Sequence, residues 1–281
     1  MQPLELACLQ TRPRPDFATA WDEALPMAQE AVASGATLLF LPEYCGGLVT
    51  EGAAVTPPSA PEAAHPFLND VRTFARDAGV WINVGSVAID APDGRLINRG
   101  YMVDAQGQIK GSYDKIHMFD IQLSDTEVYR ESDRVSPGAE AVIHDTPFGR
   151  IGHTICYDLR FPDLFRTLAK AGADMLICPA AFTKKTGEAH WHVLNQARAI
   201  ENTRFVISCC ATGEVPGGGE TYGHSLVIGP WGDVIADKGV KPGVLRARID
   251  LAQVALCSAR IPSLTADRPY GFGDATDRKL A

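Results

Sequence analysis

Two short apolar runs set the strongest limit on what this chain can fold into. Residues 37–41 and 174–178 each read as a buried strand, and each is stopped by a proline, Pro42 and Pro179. A helical stretch precedes each run, and another strand precedes each helix. In the first half the strand is 4–10. The helix is 18–33, with Ala20, Ala24, Met27 and Ala31 at helical spacing and Gly35 at its end. In the second half the strand is 150–156, and the helix 161–170 closes near Gly172. Strand–helix–strand stated twice is the grammar of an α/β protein.

The remaining segments extend this echo. A helix is expected at 67–78, then strands at 81–88, 99–103 and 109–113, with Asp93-Gly94 and Gln106-Gly107 as turns of an antiparallel arrangement. A helix at 190–201 places Val193, Ala197 and Ile200 on one face. Strands follow at 204–211, 223–228, 234–236 and 244–249. The expectation is two sheets faced by helices in one domain, residues 1–273, with a polar tail at 274–281. Between them, residues 115–140 read as a long polar loop of the kind that carries function.

Charge narrows the function. The formal net charge is -8 and no Lys/Arg run is present, which argues against a nucleic-acid binder. No stretch is long and apolar enough for a membrane span, and the first residues lack the pattern of a signal peptide. Seven cysteines, none in a Cys-x-x-Cys pair, read as free thiols of a reducing compartment, so a cytoplasmic location is expected.

Three segments could carry chemistry. Cys156 ends a strand before a helix, where backbone N–H groups favour a thiolate and the N–H of Tyr157 faces an oxyanion. A buried structural thiol fits the local sequence equally well. Glu43 follows the apolar strand at Pro42, a place where a carboxylate serves as a base or simply meets solvent. Lys115, after another strand, could hold an oxyanion or pair with Asp114 or Asp120 at the surface.

Jointly these residues form an ordered set. Leu-Pro-Glu43, Asp-Lys115-Ile-His and Cys156-Tyr-Asp-Leu-Arg-Phe-Pro resemble the signature segments of the nitrilase superfamily of carbon–nitrogen hydrolases. Gly187-Glu-Ala-His-Trp191, Arg198-Ala-Ile-Glu-Asn202 and Tyr222-Gly-His-Ser-Leu-Val match as well, so the likeness runs from about residue 4 to about residue 270. The resemblance implies a four-layer αββα sandwich with two-fold pseudo-symmetry, paired into a homodimer or a larger homo-oligomer. It implies Cys156 as nucleophile, Glu43 as general base, and Lys115 with the Tyr157 N–H as oxyanion holders. Glu131 matches a second glutamate that orients the lysine. A thioester forms, ammonia leaves, and water resolves the intermediate without a metal or organic cofactor.

Within the superfamily the chain is similar to the branch of omega-amidases and deaminated-glutathione amidases. The resemblance implies a small linear amide bearing a carboxylate, deaminated glutathione first and α-ketoglutaramate second. Another amidase of the nitrilase fold, or a transferase with an amine resolving the thioester, is the alternative. A non-catalytic interaction protein on the same fold is argued against by the intact Glu43, Lys115 and Cys156, and a true nitrilase by the amidase-like segments. Arg160 matches the carboxylate-binding arginine of the branch, and Phe182 and Thr186 match pocket positions. Read from the residues, Arg160 could instead pair with Asp163, and Phe182 and Thr186 could serve packing and a helix cap. Residues 122–130 depart from the branch and form an expected pocket wall.

Other constellations are read as structural. His190 and His192 do not share a helix face and lack an acidic or cysteine partner at ligand spacing, so no metal is expected. His117, His153 and His224 leave a Cys–His pair open, with Glu43 preferred as base. Gly217-Gly-Gly219 reads as a turn, and Cys209-Cys210 as strand residues facing opposite ways.

Overall fold

The computed structural model describes residues 3–52, 54–125 and 128–271. The expected tail at 274–281 lies outside the described residues. In chain order the principal elements are β1 (Leu4–Gln10), α1 (Phe17–Ala33), β2 (Leu38–Phe40), α2 (Pro66–Ala78), β3 (Trp81–Asp90), β4 (Leu96–Val103) and β5 (Ile109–Asp114). Next are β6 (Val142–Thr146), β7 (Gly149–His153), α3 (Pro162–Lys170), β8 (Met175–Ile177), α4 (Lys184–Asn202), β9 (Phe205–Ser208), β10 (Leu226–Ile228), β11 (Val234–Asp237), β12 (Gly243–Ile249) and α5 (Ala252–Arg260).

These strands make two sheets of matching plan. In the first, β12 lies antiparallel to β1, which runs parallel to β2 and through it to β3, and β4 and β5 follow antiparallel. In the second, β6 lies antiparallel to β7, which runs parallel to β8 and through it to β9, and β10 and β11 follow antiparallel. The two-fold echo of the sequence is therefore a correspondence of strand order and direction.

Side-chain alternation builds the layers. Ala7 and Leu9 of β1 pack with Ala20, Ala24 and Ala28 of α1 and Phe67 and Val71 of α2. Leu6 and Cys8, pointing the other way, meet Ile151, Ile177 and Ile207 of the second sheet. Leu176 and Val206, on the outer face of that sheet, pack with Phe165 of α3 and Trp191 of α4. The order is helices, sheet, sheet, helices, and both faces of the central strands are dry, which is why they read as unbroken apolar runs. Cys209 and Cys210 lie just past β9 rather than within it, yet still face opposite ways: Cys209 joins the core between the sheets and Cys210 the core under α4.

Several expectations needed correction. β6 and α5 were not anticipated, and residues 120–130 are not uniformly irregular, since Asp120–Gln122 pairs with Val128–Arg130. The strand expected at 150–156 ends at His153, and Cys156 opens a short 3-10 turn instead. α4 begins at Lys184, and its apolar triple does not face the core: Val193 is 59% exposed and Ile200 51%. The buried face carries Trp191, Asn195, Arg198 and Asn202, whose polar groups bond to backbone carbonyls and to Ser208. Hydrogen bonding offsets the cost of burying them, and an apolar moment cannot detect such a face.

Candidate active site

The ends of four strands converge on one point. Glu43 lies three residues beyond β2, Lys115 directly follows β5, Cys156 lies three residues beyond β7, and Ala181 follows β8 after Pro179. The crossing needs a glycine: a β-carbon on Gly85 of β3 would lie 2.1 Å from the carbonyl oxygen of Leu41. Without a side chain there, the Leu41-Pro42 segment lies directly on β3 and carries Glu43 inward.

Glu43, Lys115 and Glu131 are all buried. The Lys115 ammonium donates to Oε1 of Glu43 at 2.9 Å and to Oε1 and Oε2 of Glu131 at 3.1 and 2.8 Å. Glu43 Oε1 also accepts from the Asn98 amide at 2.9 Å, and its Oε2 accepts from the Ala181 N–H at 2.9 Å. Glu131 is fixed in turn by the Phe119 N–H at 2.7 Å and the Tyr44 hydroxyl at 3.2 Å. Lys115 does not make the surface pairing with Asp114, which binds Arg99 instead.

Burial alone would lower the Lys115 pKa, but the charges of Glu131 and Glu43 outweigh it and hold the ammonium protonated well above its ordinary range. The Cys156 pKa is raised as well, and for a thiol that favours the neutral form. Burial pushes its thiol well up, the Glu43 carboxylate that accepts its hydrogen bond adds to this, and Lys115 only partly opposes them. A resting thiolate, expected from a helix N-terminus, is therefore not what the fold supports. The helix α3 begins at Pro162, six residues on, and Cys156 belongs to the intervening 3-10 turn.

That turn is strained and clamped. Cys156 has φ 48, in the left-handed region that residues with a β-carbon avoid, and so does Tyr44 (φ 52) beside Glu43 on the facing segment. The Cys156 N–H donates to the Pro179 carbonyl at 2.9 Å. Asp158, fully buried, accepts from the Ile155 N–H at 2.9 Å and the Tyr113 hydroxyl at 2.7 Å on one oxygen. Its other oxygen takes the His117 N–H at 3.1 Å and faces His117 Nδ1 at 2.7 Å. Asp158 thus ties the segment carrying Lys115 to the turn carrying Cys156.

A cavity of about 430 Å3 opens above these groups. Glu43, Lys115, Glu131, Cys156, Tyr157, Phe182 and Thr186 line it, and Arg130, Lys184, Glu188 and Glu220 stand on its outer wall. Arg160 does not line it. Its guanidinium lies over the rings of Tyr157 and Phe182, at 5.8 and 5.4 Å from their centroids, and 3.3 Å from His190 Nδ1. His117, His153 and His224 are likewise absent from the wall. Thr186 Oγ1 lies 2.7 Å from Thr183 Oγ1 at the start of α4, and Phe182 packs on Trp191, so both combine a structural contact with a place on the wall.

Asn98, Tyr44, Asp158 and the Ala181 N–H were missed by sequence reasoning. Asp158 and Tyr44 sit beside singled-out residues, and that adjacency was the available signal. Asn98 lies mid-strand and gave none.

The family model described as carbon-nitrogen hydrolase matches residues 5–259. A protein of Synechocystis named deaminated glutathione amidase is 38% identical over 269 residues, covering 94% of this chain and 98% of its own. The crystal structure of the C. elegans NitFhit protein superimposes with a TM-score of 0.87 at 30% identity, covering 95% of this chain and 66% of that one. Nit3 of Saccharomyces cerevisiae, titled a member of branch 10 of the nitrilase superfamily, gives 0.84 at 25% identity over 96% of this chain and 97% of its own. With a family match across nearly its whole length and the αββα layers in place, the chain belongs to the carbon–nitrogen hydrolase family, on the nitrilase fold.

Proposed function

We propose that the protein hydrolyses a small linear amide bearing a carboxylate, through a thioester on Cys156, and that deaminated glutathione is its substrate. The observation that carries this reading is the Lys115 ammonium held between Glu43 and Glu131 beside a thiol bonded to Glu43, all on one cavity wall. As Cys156 Sγ attacks the amide carbon, Glu43 takes the thiol proton. Charge develops on the carbonyl oxygen, where Lys115 and the Tyr157 N–H stabilise it. Collapse of the tetrahedral species breaks the C–N bond, and the leaving amine takes the proton from Glu43. Glu43 then removes a proton from water, which attacks the thioester and releases the acid and the free thiol. Glu131 holds Lys115 in place and keeps it charged.

The nitrogen product follows from the amide. A primary amide such as α-ketoglutaramate releases ammonia. The amide of deaminated glutathione is secondary, so its cleavage releases cysteinylglycine rather than the ammonia expected from the sequence. Relatives named for deaminated glutathione support the larger substrate. Phe182 and Thr186 are the proposed substrate contacts. Arg160 would meet a carboxylate only by swinging from His190 past Tyr157 and Phe182.

Two further parts of the reading have support. A homodimer would cover the exposed Val193, Ile200 and Trp231, which share one side of α4 and the adjoining turn. A cytoplasmic location is consistent with seven free cysteines. Among the described residues no helix is long and apolar enough to cross a membrane.

The test is formation of 2-oxoglutarate, the acid product common to deaminated glutathione and α-ketoglutaramate, measured side by side with Cys156→Ala as control. Cys156-dependent turnover with deaminated glutathione well above α-ketoglutaramate supports the proposal. The reverse order makes the protein an omega-amidase. Amide products formed with added amines in place of the acid make it a transferase.

A further inference from the structure

His192, His224 and Asp237 stand apart from the catalytic groups, and the proposed chemistry uses none of them. They come from the middle of α4, the turn entering β10 and the last residue of β11. His192 Nε2 lies 3.1 Å from Asp237 Oδ2, and His224 Nδ1 lies 2.9 and 3.0 Å from the two Asp237 oxygens. One ligand atom from each residue falls within 4.8 Å of the other two. A four-coordinate ion with bonds of about 2.1 Å separates its ligand atoms by about 3.4 Å, so the three are gathered to within small side-chain adjustments of that geometry.

The groups are also held from behind. His224 has φ 52, a left-handed backbone for a residue with a β-carbon. Its N–H donates to Gly239 at 2.8 Å, its carbonyl accepts from the Trp191 indole at 2.7 Å, and its ring stacks on Tyr222 at 4.6 Å. Asp237 Oδ1 takes the Gly239 N–H at 2.8 Å. Supporting bonds of this kind fix ligand orientation in metal sites. The three side chains remain 22–34% exposed, which leaves an entry path.

We propose that His192, His224 and Asp237 bind a divalent transition-metal ion of the zinc type, with solvent completing the coordination. Two imidazoles and one carboxylate suit such an ion. Magnesium and calcium prefer all-oxygen shells, and copper(I) prefers sulfur. The pairing was invisible in the sequence because His192's partner is not His190. Its partners lie 32 and 45 positions away, brought together when the β10–β11 hairpin packs on α4. The bound ion ties that hairpin to the helix whose first two turns carry Thr186 and Glu188 of the cavity wall. The site is a tether, and it does not depend on the amidase reading.

The experiment uses the untagged full chain as Cys156→Ala, which removes the cavity thiol as a competing ligand, after chelator treatment and at mildly alkaline pH. Co2+ is titrated while visible d–d absorption is followed, and Zn2+ binding is measured by calorimetry. One equivalent should bind, and Zn2+ should raise the thermal midpoint. His192→Ala and Asp237→Asn should each weaken binding at least about tenfold and remove the thermal shift. Absence of saturable binding, or unchanged affinity and stoichiometry in both variants, would overturn the proposal.

Discussion

The Lys115 ammonium lies 2.8 and 3.1 Å from the two oxygens of Glu131, closer to that carboxylate as a whole than to Glu43, which it meets through Oε1 alone at 2.9 Å. One buried cation is thus shared by the carboxylate proposed to transfer the proton and the one proposed to hold it. Glu131→Gln keeps the shape but removes one of the two charges that keep Lys115 ionised and aimed. The expected outcome is a fall in kcat of about 10²–10³-fold with little change in KM. Steady-state kinetics on a variant shown to be folded by circular dichroism check it, and a kcat within threefold of the parent would remove Glu131 from the machinery.

The raised thiol of Cys156 makes a chemical prediction. Because burial and the Glu43 charge hold the proton on sulfur, the rate of inactivation by iodoacetamide should still be climbing past pH 9, the ordinary thiol value. A plateau below that pH would mean a resting thiolate.

Strain at the same residue predicts a stability difference. Cys156→Ala removes the proposed nucleophile but keeps a β-carbon at φ 48, whereas Cys156→Gly removes both. Both variants should be inactive. The glycine variant should be at least as stable as the alanine one, because strain relief of about 1–3 kcal/mol offsets the extra chain entropy of glycine. Paired thermal melts decide this, and a glycine variant less stable by several degrees would show that the turn is not strained.

Asp158 accepts hydrogen bonds from three residues on two segments while fully buried. Asp158→Ala leaves those donors without their acceptor, and a cost of about 3–5 kcal/mol is expected. Activity should fall as well, since the clamp sets the position of Cys156 relative to Lys115. Urea denaturation measures the first effect, and a loss under 1 kcal/mol would contradict it.

His65 caps α2 by accepting the Leu68 N–H on Nδ1 at 3.3 Å, and burial lowers its pKa from 6.5 to about 4. His144 is lowered by burial to about 4 as well. Above pH 6.5 both are neutral folded or unfolded, so they add no pH dependence. As pH falls from 6.5 towards 4 the unfolded chain takes up protons that the folded one refuses, and stability drops. His65→Asn, which keeps a capping side chain, should flatten that slope between pH 6.5 and 4 in denaturant titrations. An unchanged slope would place the acid sensitivity elsewhere.

The sequence by itself determined the layers and the candidate catalytic residues. Strands buried on both faces must be continuously apolar, so 37–41 and 174–178 announced themselves, and their prolines marked where the chain leaves the sheet at Glu43 and Ala181. Glu43, Lys115 and Cys156 were legible because each stands just past a strand, a relation that is local along the chain. Tertiary structure alone decided what depends on distance in space. It set the thiol's protonation through burial beside Glu43 and recruited Asn98 from mid-strand. It put Arg160 behind two rings instead of on the cavity wall. It also turned the apolar face of α4 outward, because Asn195, Arg198 and Asn202 find their hydrogen-bond partners inside. A desolvation cost or a hydrogen bond between residues far apart in sequence has no periodicity to reveal it. It exists only once the two sheets have closed on each other.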